Sequence, residues 1–347
     1  MSKQLTLKQK LFLIFIPTIL VLVFLEISAR AVYFQRQSGE DSFALSRYAK
    51  RGVSGVFRLL AKGKVSKHNF SEKDLYSTAG EKLIQHFKLK YEDHFKVLLA
   101  EIIKADAKLL VVYIPSGNYL KDSVRRDLTR RFFQELSAKY SVDYLDLTGD
   151  FLEYDPQDIT LLPEGGHLSR FGNKLVARKI AKKIKKFQLH NSSVSYDKRP
   201  QLFGDLAPNL SEVWSYKPEM PYLVVTNNQG LRRRTELTFP KVKQRVLVLG
   251  DSFSFGPYLP EYHSYPYFLE NILANAEVVN AGVPGYTIED EAGLFRDRAK
   301  YLEPDIVLLQ VLDNDLTDFF WFKRNEFDRE RKVYEPTSIE VEFLNQK

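Results

Sequence analysis

The sequence predicts an α/β fold, a three-layer α/β/α sandwich around a five-stranded parallel sheet. Five short apolar runs have the length and composition of buried strands: residues 109–114, 142–147, 245–249, 277–280 and 306–311. Two of them lie in the first half of the chain and three in the second. Two or three strands are too few for a doubly wound sheet, whereas five strands together are enough. We therefore predict one composite domain built from both halves.

Apolar residues at helical spacing lie ahead of the first strand and in the intervals between the strands. They predict five helices: residues 81–105, 121–140, 173–187, 262–274 and 289–301. The third helix is basic and follows a loop rich in Gly and Pro. Its cationic face is interpreted either as a solvated surface or as a contact for anionic lipid or polymer. The alternation of strands and helices agrees with a parallel sheet.

A polar stretch, residues 191–208, carries Asn, Ser and Pro and is interpreted as a linker. It separates the two predicted parts of the domain, residues 41–190 and 209–347. A short strand and a turn are predicted within residues 214–234, ahead of the central strand.

The composition excludes several classes of protein. The chain has 347 residues, 44% of them hydrophobic, which is enough for a sizeable core. Its net charge of +7 is mild, and no nucleic-acid motif occurs, so no nucleic-acid partner is predicted. Because the chain has no Cys, disulfides, thiol nucleophiles and Cys metal sites are excluded. Neither a metal nor an organic cofactor is predicted.

Residues 1–34 are predicted to form a membrane anchor. The apolar run LFLIFIPTILVLVFL, residues 11–25, follows several lysines and can cross a bilayer if residues 27–32 extend it. The lysines predict a cytoplasmic N-terminus and a body on the opposite, periplasmic or extracytoplasmic, side. A cleaved signal peptide is the alternative, since Ala29-Arg30-Ala31 has the small-x-small form. A buried core helix is a further alternative.

The candidate nucleophile is Ser252, in RVLVLGDSFSFG. A buried strand that runs into a turn of small residues is where open α/β sheets place their active sites. A serine at that edge can present its hydroxyl and its backbone N–H to a cleft, as acyl transfer requires. The alternative is an ordinary turn serine.

The candidate base is His167, in PEGGHLSRFG. Gly165 and Gly166 allow the loop to bend, and Ser169 can cap the next helix. Glu164 stands three residues earlier and can orient the imidazole through its other ring nitrogen. A surface histidine and a solvated acid are the alternatives, and His263 is a second choice of base.

Two further stretches follow strands of the predicted sheet and end at the same edge as Ser252. Gly285, in NAGVPGY, can donate a backbone N–H, and Asn314, after LLQVLD, can donate a side-chain N–H. With the N–H of Ser252 these groups form a three-donor oxyanion hole.

These residues resemble the sequence blocks of the SGNH (GDSL-type) hydrolase superfamily. GDSFSFG is similar to its serine block, NAGVPG to its glycine block, DND to its asparagine block and EGGHLSRFG to its histidine block. The surrounding TNNQGLR, VVNAG, PDIVLL and YIPS resemble envelope-associated, N-terminally anchored members. The resemblance covers most of residues 41–347 and implies a serine nucleophile, a histidine base, two oxyanion donors and the five-stranded sandwich predicted above.

The chain departs from the family pattern in three ways. His167 precedes Ser252, whereas the family runs from serine block to histidine block, so we predict a circular permutation with the chain ends close together. Glu164 replaces the usual aspartate. Asp313 stands where a glycine often precedes the asparagine.

The sequence therefore predicts a membrane-anchored serine esterase or O-acyltransferase acting on ester-linked acyl groups of an envelope glycan or lipid. Envelope polysaccharide machinery is a possible partner. Two alternatives remain at this point. One is a non-catalytic glycan-binding or assembly protein on a degenerate SGNH scaffold. The other is a chain whose halves pair with a second copy.

Overall fold

The computed structural model describes residues 78–117, 120, 123–161, 166–187, 191–215 and 219–316. All of them lie in the second of the two units into which the chain divides, residues 70–347. The predicted anchor segment, residues 11–25, is outside the described residues, as is Glu164. In the described part of the chain, no helix combines the length and the apolar character needed to span a bilayer.

A five-stranded, all-parallel sheet forms the centre of the fold, as predicted. Its strands are β1 (Lys108–Tyr113), β2 (Asp143–Asp146), β5 (Gln244–Leu249), β6 (Ala276–Asn280) and β7 (Ile306–Val311). They are ordered β2-β1-β7-β5-β6. Strand β1 of the first half pairs along its whole length with β7 of the second, from Lys108 opposite Ile306 to Tyr113 opposite Val311. The prediction of a composite sheet is confirmed.

Eight α-helices are described: α1 (Thr78–Lys104), α2 (Ser123–Lys139), α3 (Thr148–Leu152), α4 (Pro156–Ile159), α5 (Arg170–Ile184), α6 (Ser252–Phe255), α7 (Tyr265–Ile272) and α8 (Ile288–Asp297). The five predicted helices are present with shifted ends. Helix α5 begins three residues before its predicted start because the hydroxyl of Ser169 caps it. The short helices α3, α4 and α6 were not predicted, since each is too brief to show a period.

The helices cover both faces of the sheet and so form the predicted three layers. On one face, side chains of α1, α2 and α8, such as Phe95, Phe133 and Phe295, pack on one side of the strands. On the other face, α5 and α7 contribute Ile180 and Leu269 to a second buried cluster. Alternate residues of each strand point into the two clusters, which explains why the strands read as continuous apolar runs.

A two-stranded antiparallel hairpin precedes the central strand. Its strands are β3 (Ser211–Trp214) and β4 (Tyr222–Val225), close to the strand and turn predicted there. The stretch 191–208, interpreted as a linker, has no regular secondary structure but packs on the domain. Phe203 and Leu206 are buried in the core, and Ser192 N–H donates to Asp305 Oδ1 at 2.7 Å. This stretch is therefore part of the folded domain.

Candidate active site

Ser252 is the first residue of α6, directly beyond the carboxyl end of β5. A Cβ at Gly250 would lie 2.4 Å from the hydroxyl oxygen of Ser254, so this position requires glycine. Asp251 caps α6, and its carboxylate accepts a hydrogen bond from Phe253 N–H at 2.9 Å. The hydroxyl of Ser252 consequently stands half-buried at the edge of the sheet where ligand sites form.

His167 lies beside Ser252. Its Nε2 is 3.0 Å from Ser252 Oγ, within the reach of a hydrogen bond, although the two residues are 85 positions apart. The imidazole packs against the ring of Phe253, with centroids 5.1 Å apart, and against Tyr258 at 5.7 Å. The contact joins the predicted histidine block and the predicted serine block within one chain.

Backbone hydrogen bonds on both sides fix the position of His167. Leu161 N–H donates to the carbonyl of His167 at 2.7 Å, and Ser169 N–H donates to the carbonyl of Ile159 at 2.9 Å. The hydroxyl of Ser169 then accepts from Gly172 N–H at 3.1 Å, which caps α5 as predicted. The loop that carries the imidazole is thus held between the end of α4 and the start of α5.

A chain of buried hydrogen bonds connects this loop to α6. Asn173 Nδ2 donates to the carbonyls of Leu168 at 3.3 Å and Ser169 at 2.9 Å, and its Oδ1 accepts from Tyr265 N–H at 2.8 Å. The hydroxyl of Tyr265 is 2.7 Å from Ser254 Oγ. All three polar side chains are buried. Nothing distinctive marks them in the sequence, because the bond that ties α5 to α7, from Tyr265 N–H to Asn173, joins residues 92 positions apart.

Gly285 lies in a turn that leaves its N–H available. Pro284 precedes it, its φ is +78°, and Tyr286 N–H donates to the carbonyl of Val283 at 3.1 Å. This is the pattern of a type II turn, in which the glycine N–H takes no part in the turn hydrogen bond. Val283 N–H in turn donates to the carbonyl of Gly250 at 3.0 Å. The predicted oxyanion glycine is therefore on a loop bonded to the residue that follows β5.

Gly282, in the same loop, packs directly on α6. A Cβ there would lie 2.6 Å from Ser254 Cβ and 2.8 Å from Phe255 N. We expect Gly282→Ala to destabilise the fold by about 1–3 kcal/mol, because overpacking must move either the loop or the helix. The same displacement should lower turnover. Urea unfolding and an ester-hydrolysis assay measure the two effects.

Gly149→Ala is the matched control for that substitution. Gly149 is exposed within α3, and no atom lies within 4 Å of a Cβ built there. We expect Gly149→Ala to be neutral or to stabilise by about 0.5–1 kcal/mol. Equal behaviour of the two variants would contradict the close approach of the glycine loop to α6.

Asn314 follows β7 and is half-buried at the same edge of the sheet. Its neighbour Asp313 is buried and turns toward the segment after β1. The hydroxyl of Tyr113 donates to Asp313 Oδ1, and Ser116 N–H donates to Oδ2 at 2.8 Å. Burial, and then the charge of Asp313, raise the pKa of Tyr113. The negative charge that departs from the family pattern is therefore engaged by two donors from the other half of the chain.

Glu164, the predicted orienting carboxylate, is not among the described residues, and its role stays a prediction. A described carboxylate whose charge acts on His167 is Asp251, for which no such role was predicted. Burial raises the pKa of Asp251, while the hydrogen bond from Phe253 and the positive charge of His167 lower it. Asp251 Oδ2 is 3.4 Å from Ser252 Oγ. Its carboxylate adds negative potential beside any imidazolium that forms.

Arg232 holds the carboxyl end of α6. Its guanidinium is buried, stacks 4.1 Å from the centre of the Phe255 ring, and donates to the carbonyls of Phe255, Gly256 and Leu259. Carbonyls at a helix end lack partners within the helix, so a buried cation satisfies them well. The TNNQGLR stretch therefore supplies a residue that positions the helix carrying Ser252. Its function was not predicted from the sequence.

His263, the second choice of base, lies in a 3₁₀ turn before α7, and the structure brings His167 rather than His263 to Ser252. Among the described residues, no group of three His, Asp or Glu side chains is arranged to hold a metal ion.

Comparison with known protein sequences shows no family for this chain. No family model matches it. CBL-interacting serine/threonine-protein kinase 3 of Arabidopsis thaliana is 27% identical over 157 residues, which are 42% of this chain. The chain spans only 34% of that relative.

Two solved structures are similar in fold. The O-acetyltransferase domain of Pseudomonas putida AlgJ has 16% identity and a TM-score of 0.46, covering 80% of this chain and 96% of that one. Bacillus cereus PatB1 with a sulfonyl adduct has 13% identity and a TM-score of 0.39, covering 68% and 88%. Similarity at this level concerns the fold alone.

Proposed function

We propose that this chain is a serine esterase or O-acyltransferase of the SGNH type. The observation that carries the proposal is the 3.0 Å contact between His167 Nε2 and Ser252 Oγ at the carboxyl edge of a parallel sheet. A nucleophile and a base within hydrogen-bond reach, with backbone donors nearby, are the parts that acyl transfer requires.

In the proposed reaction, Ser252 Oγ attacks the carbonyl carbon of an ester while His167 Nε2 takes the hydroxyl proton. The negative charge on the carbonyl oxygen is stabilised by the N–H groups of Ser252 and Gly285 and by the side chain of Asn314. The C–O bond of the ester then breaks, and His167 returns the proton to the departing alcohol. The acyl group remains on Ser252.

The second half of the reaction runs in reverse with a new acceptor. His167 takes a proton from water or from a sugar hydroxyl, whose oxygen attacks the acyl carbonyl of Ser252. The bond between the acyl carbon and Ser252 Oγ then breaks, and His167 returns the proton to Oγ, which regenerates the free serine. Water as acceptor gives an esterase, and a sugar hydroxyl gives an O-acyltransferase. Glu164 remains the proposed orienting carboxylate, and Asp251 supplies further negative charge near the imidazole.

The hydrogen bonds that Asp313 accepts weigh against the non-catalytic alternative. An unpaired negative charge next to the oxyanion donors favours that alternative, because it opposes the charge that develops in acyl transfer. Both carboxylate oxygens of Asp313 accept hydrogen bonds, one from Tyr113 at the end of β1 and one from Ser116 beyond it, so its charge is satisfied elsewhere. The alignment of Ser252 with His167 likewise favours catalysis.

We further propose a circular permutation of the family order, with the anchor kept at the front. Strands of both halves share one sheet, and each half supplies one member of the Ser252–His167 pair. This pairing within one chain also argues against halves that need a second copy. The chain ends, which this proposal brings together, lie outside the described residues.

The proposed location is the outer side of a membrane, with residues 11–25 as the anchor and a cytoplasmic N-terminus. The proposed substrate is the acylated form of an envelope glycan or lipid, and envelope polysaccharide machinery is the proposed partner. The proposed location rests on the N-terminal lysines and the apolar run that follows them. The proposed substrate and partner rest on that segment and on the resemblance to the SGNH sequence blocks.

Release of p-nitrophenol from p-nitrophenyl acetate tests the proposed chemistry. We expect the purified full chain to turn over this ester, and an added oligosaccharide to gain acetyl groups if the chain is a transferase. Mass spectrometry of the oligosaccharide separates transfer from hydrolysis. No turnover with any activated ester would contradict the proposal.

Asn314→Ala tests the oxyanion donor. We expect kcat to fall by about 10²–10³ with little change in KM, because the lost donor acts on charge that develops in the transition state. Asn271, exposed on α7 and bonded through its side chain to the carbonyl of Tyr267, is the matched control. A rise in KM at unchanged kcat would instead place Asn314 in ground-state binding.

A further inference from the structure

Exposed aromatic rings and cations share a surface beside the histidine loop. We call it the aromatic–basic strip, and it comprises Arg170, Phe171 and Lys174 of α5 with Tyr262, His263 and Phe268 of the turn before α7 and of α7 itself. Phe171 is 39% exposed and Tyr262 is 45% exposed, which are high values for rings of this size.

Ring contacts hold these aromatic side chains in fixed orientations. Phe171 packs edge-on against Tyr154, with centroids 5.2 Å apart. The rings of Tyr262 and His263 are 4.7 Å apart, and His263 lies nearly parallel to Phe268. The strip therefore presents ring surfaces whose conformational freedom is already reduced, which lowers the entropic cost of binding a ligand to them.

The two cations that α5 supplies to the strip have no carboxylate partner within the part of the chain that the structure describes. Arg170 and Lys174 form no ion pair with any residue that the structure describes, and Lys174 Nζ lies 5.5 Å from the centre of the Phe268 ring. At the other end of α5, by contrast, Lys179 pairs with Asp150, and Lys183 pairs with Asp143 at 2.7 Å.

The positive charges of Arg170 and Lys174 act on the imidazole of His263, which lies beside them. Burial, and then the positive charges of Arg170 and Lys174, lower the pKa of His263. Acidic residues flank Tyr154 in the sequence, namely Glu153, Asp155 and Asp158. The cations lie on the side toward α7, where Lys174 contacts the ring of Phe268 and acts with Arg170 on His263.

The strip adjoins the candidate catalytic pair. Arg170 follows His167 by three residues and opens α5. The hydrogen bond from Tyr265 N–H to Asn173 Oδ1, 2.8 Å long, ties the first turn of α5 to the start of α7. A polymer that lies along the strip therefore passes close to the edge at which Ser252 stands.

We propose that the aromatic–basic strip binds a polysaccharide bearing carboxylate groups, so that the acyl group processed at Ser252 belongs to an acidic glycan. The inference rests on the proposed function for the chemistry at Ser252. A guanidinium matches a carboxylate in two parallel hydrogen bonds, and an ammonium adds a second positive contact. Flat, fixed rings suit the apolar face of a sugar, whereas a lipid surface calls for side chains that insert into acyl chains.

The test compares three probes on the full chain held in phosphatidylcholine nanodiscs. The probes are polygalacturonate, neutral dextran and vesicles of phosphatidylglycerol. We expect polygalacturonate to bind more tightly than dextran, and Arg170→Ala/Lys174→Ala to weaken that binding about tenfold, with the difference shrinking at high salt.

Lys182→Ala/Lys185→Ala is the matched control, since both residues are exposed on or just beyond α5 and the change in net charge is the same. We expect this control pair to bind polygalacturonate as the unmodified chain does. Equal loss in both double variants, dextran binding as tight as polygalacturonate binding, or binding to the vesicles alone would overturn the inference.

Failure of this inference can be told apart from failure of the proposed function. Selective polygalacturonate binding through the strip by a chain that hydrolyses no ester supports the strip and rejects the catalytic proposal. Ester hydrolysis without preference for polygalacturonate over dextran supports the catalytic proposal and rejects glycan binding by the strip. We expect Ser252→Ala to abolish hydrolysis and to retain the polygalacturonate affinity.

Discussion

Ser252→Ala is expected to lower kcat for p-nitrophenyl acetate by at least about 10³-fold, because no acyl-enzyme can form without the hydroxyl. The residual rate comes from the backbone donors, which remain in place and still stabilise an oxyanion attacked by water. KM should change little, since the side chain removed is small and acts on the reacting carbonyl.

The loss must be shown to be catalytic rather than structural. The hydroxyl of Ser252 is half-buried and contacts His167, so its removal should cost about 1 kcal/mol of unfolding free energy at most. Urea unfolding measures that cost. Ser195→Ala is the matched control, because Ser195 is exposed in the stretch that packs near Asp305, at the opposite edge of the sheet. Full activity in Ser252→Ala would reject a serine nucleophile.

His167→Ala is expected to produce a loss of similar size, again about 10³-fold or more, because the hydroxyl proton then has no base. The effects should not add. The double variant with Ser252→Ala should be no slower than the slower single variant, since residues that act as a unit are lost together. Steady-state kinetics on the three variants measures this coupling.

Added imidazole provides a second readout for His167→Ala. The cavity left between the rings of Phe253 and Tyr258 can admit a free imidazole, which should restore part of the activity in proportion to its concentration. His94→Ala is the control, because His94 lies on α1 and is 3.8 Å from Glu289. Multiplicative losses in the double variant, with no rescue, would indicate that the two residues act separately.

The strands were predictable because a buried strand is marked by a run of apolar residues that are adjacent in the sequence. Residues 306–311 read as a buried strand from their apolar run alone, and the structure gives β7 the same bounds. The composite sheet followed from a count of such runs. Helix ends were less certain, since the start of α5 depends on a single hydroxyl contact of Ser169.

The candidate site was predictable where residue type and strand position coincide. Ser252 and His167 stood out because each follows a strand in a loop of small residues, and they meet in the structure. The supporting polar residues were not predictable. Asn173 and Arg232 each bond to a segment distant in sequence, namely to the N–H of Tyr265 and to the carbonyl of Gly256, and nothing in their local surroundings indicates these partners.

The orientation of Asp313 likewise could not be predicted from the sequence. From the sequence, its carboxylate is simply an acid beside a candidate oxyanion donor. Its two hydrogen-bond donors, Tyr113 and Ser116, come from the end of β1 and the segment after it, about 200 residues earlier in the chain. Only the pairing of β1 with the second half brings them together.

In the proposed reaction, Ser252 carries the acyl group between donor and acceptor. Rapid quenching with acid during turnover of p-nitrophenyl acetate, followed by peptide mapping by mass spectrometry, tests it most directly. We expect one added acetyl group on the peptide containing Ser252, and none on that peptide from Ser252→Ala. Turnover with an acetyl group on another residue, or an acetylated Ser252 peptide that forms equally fast in His167→Ala, would contradict it.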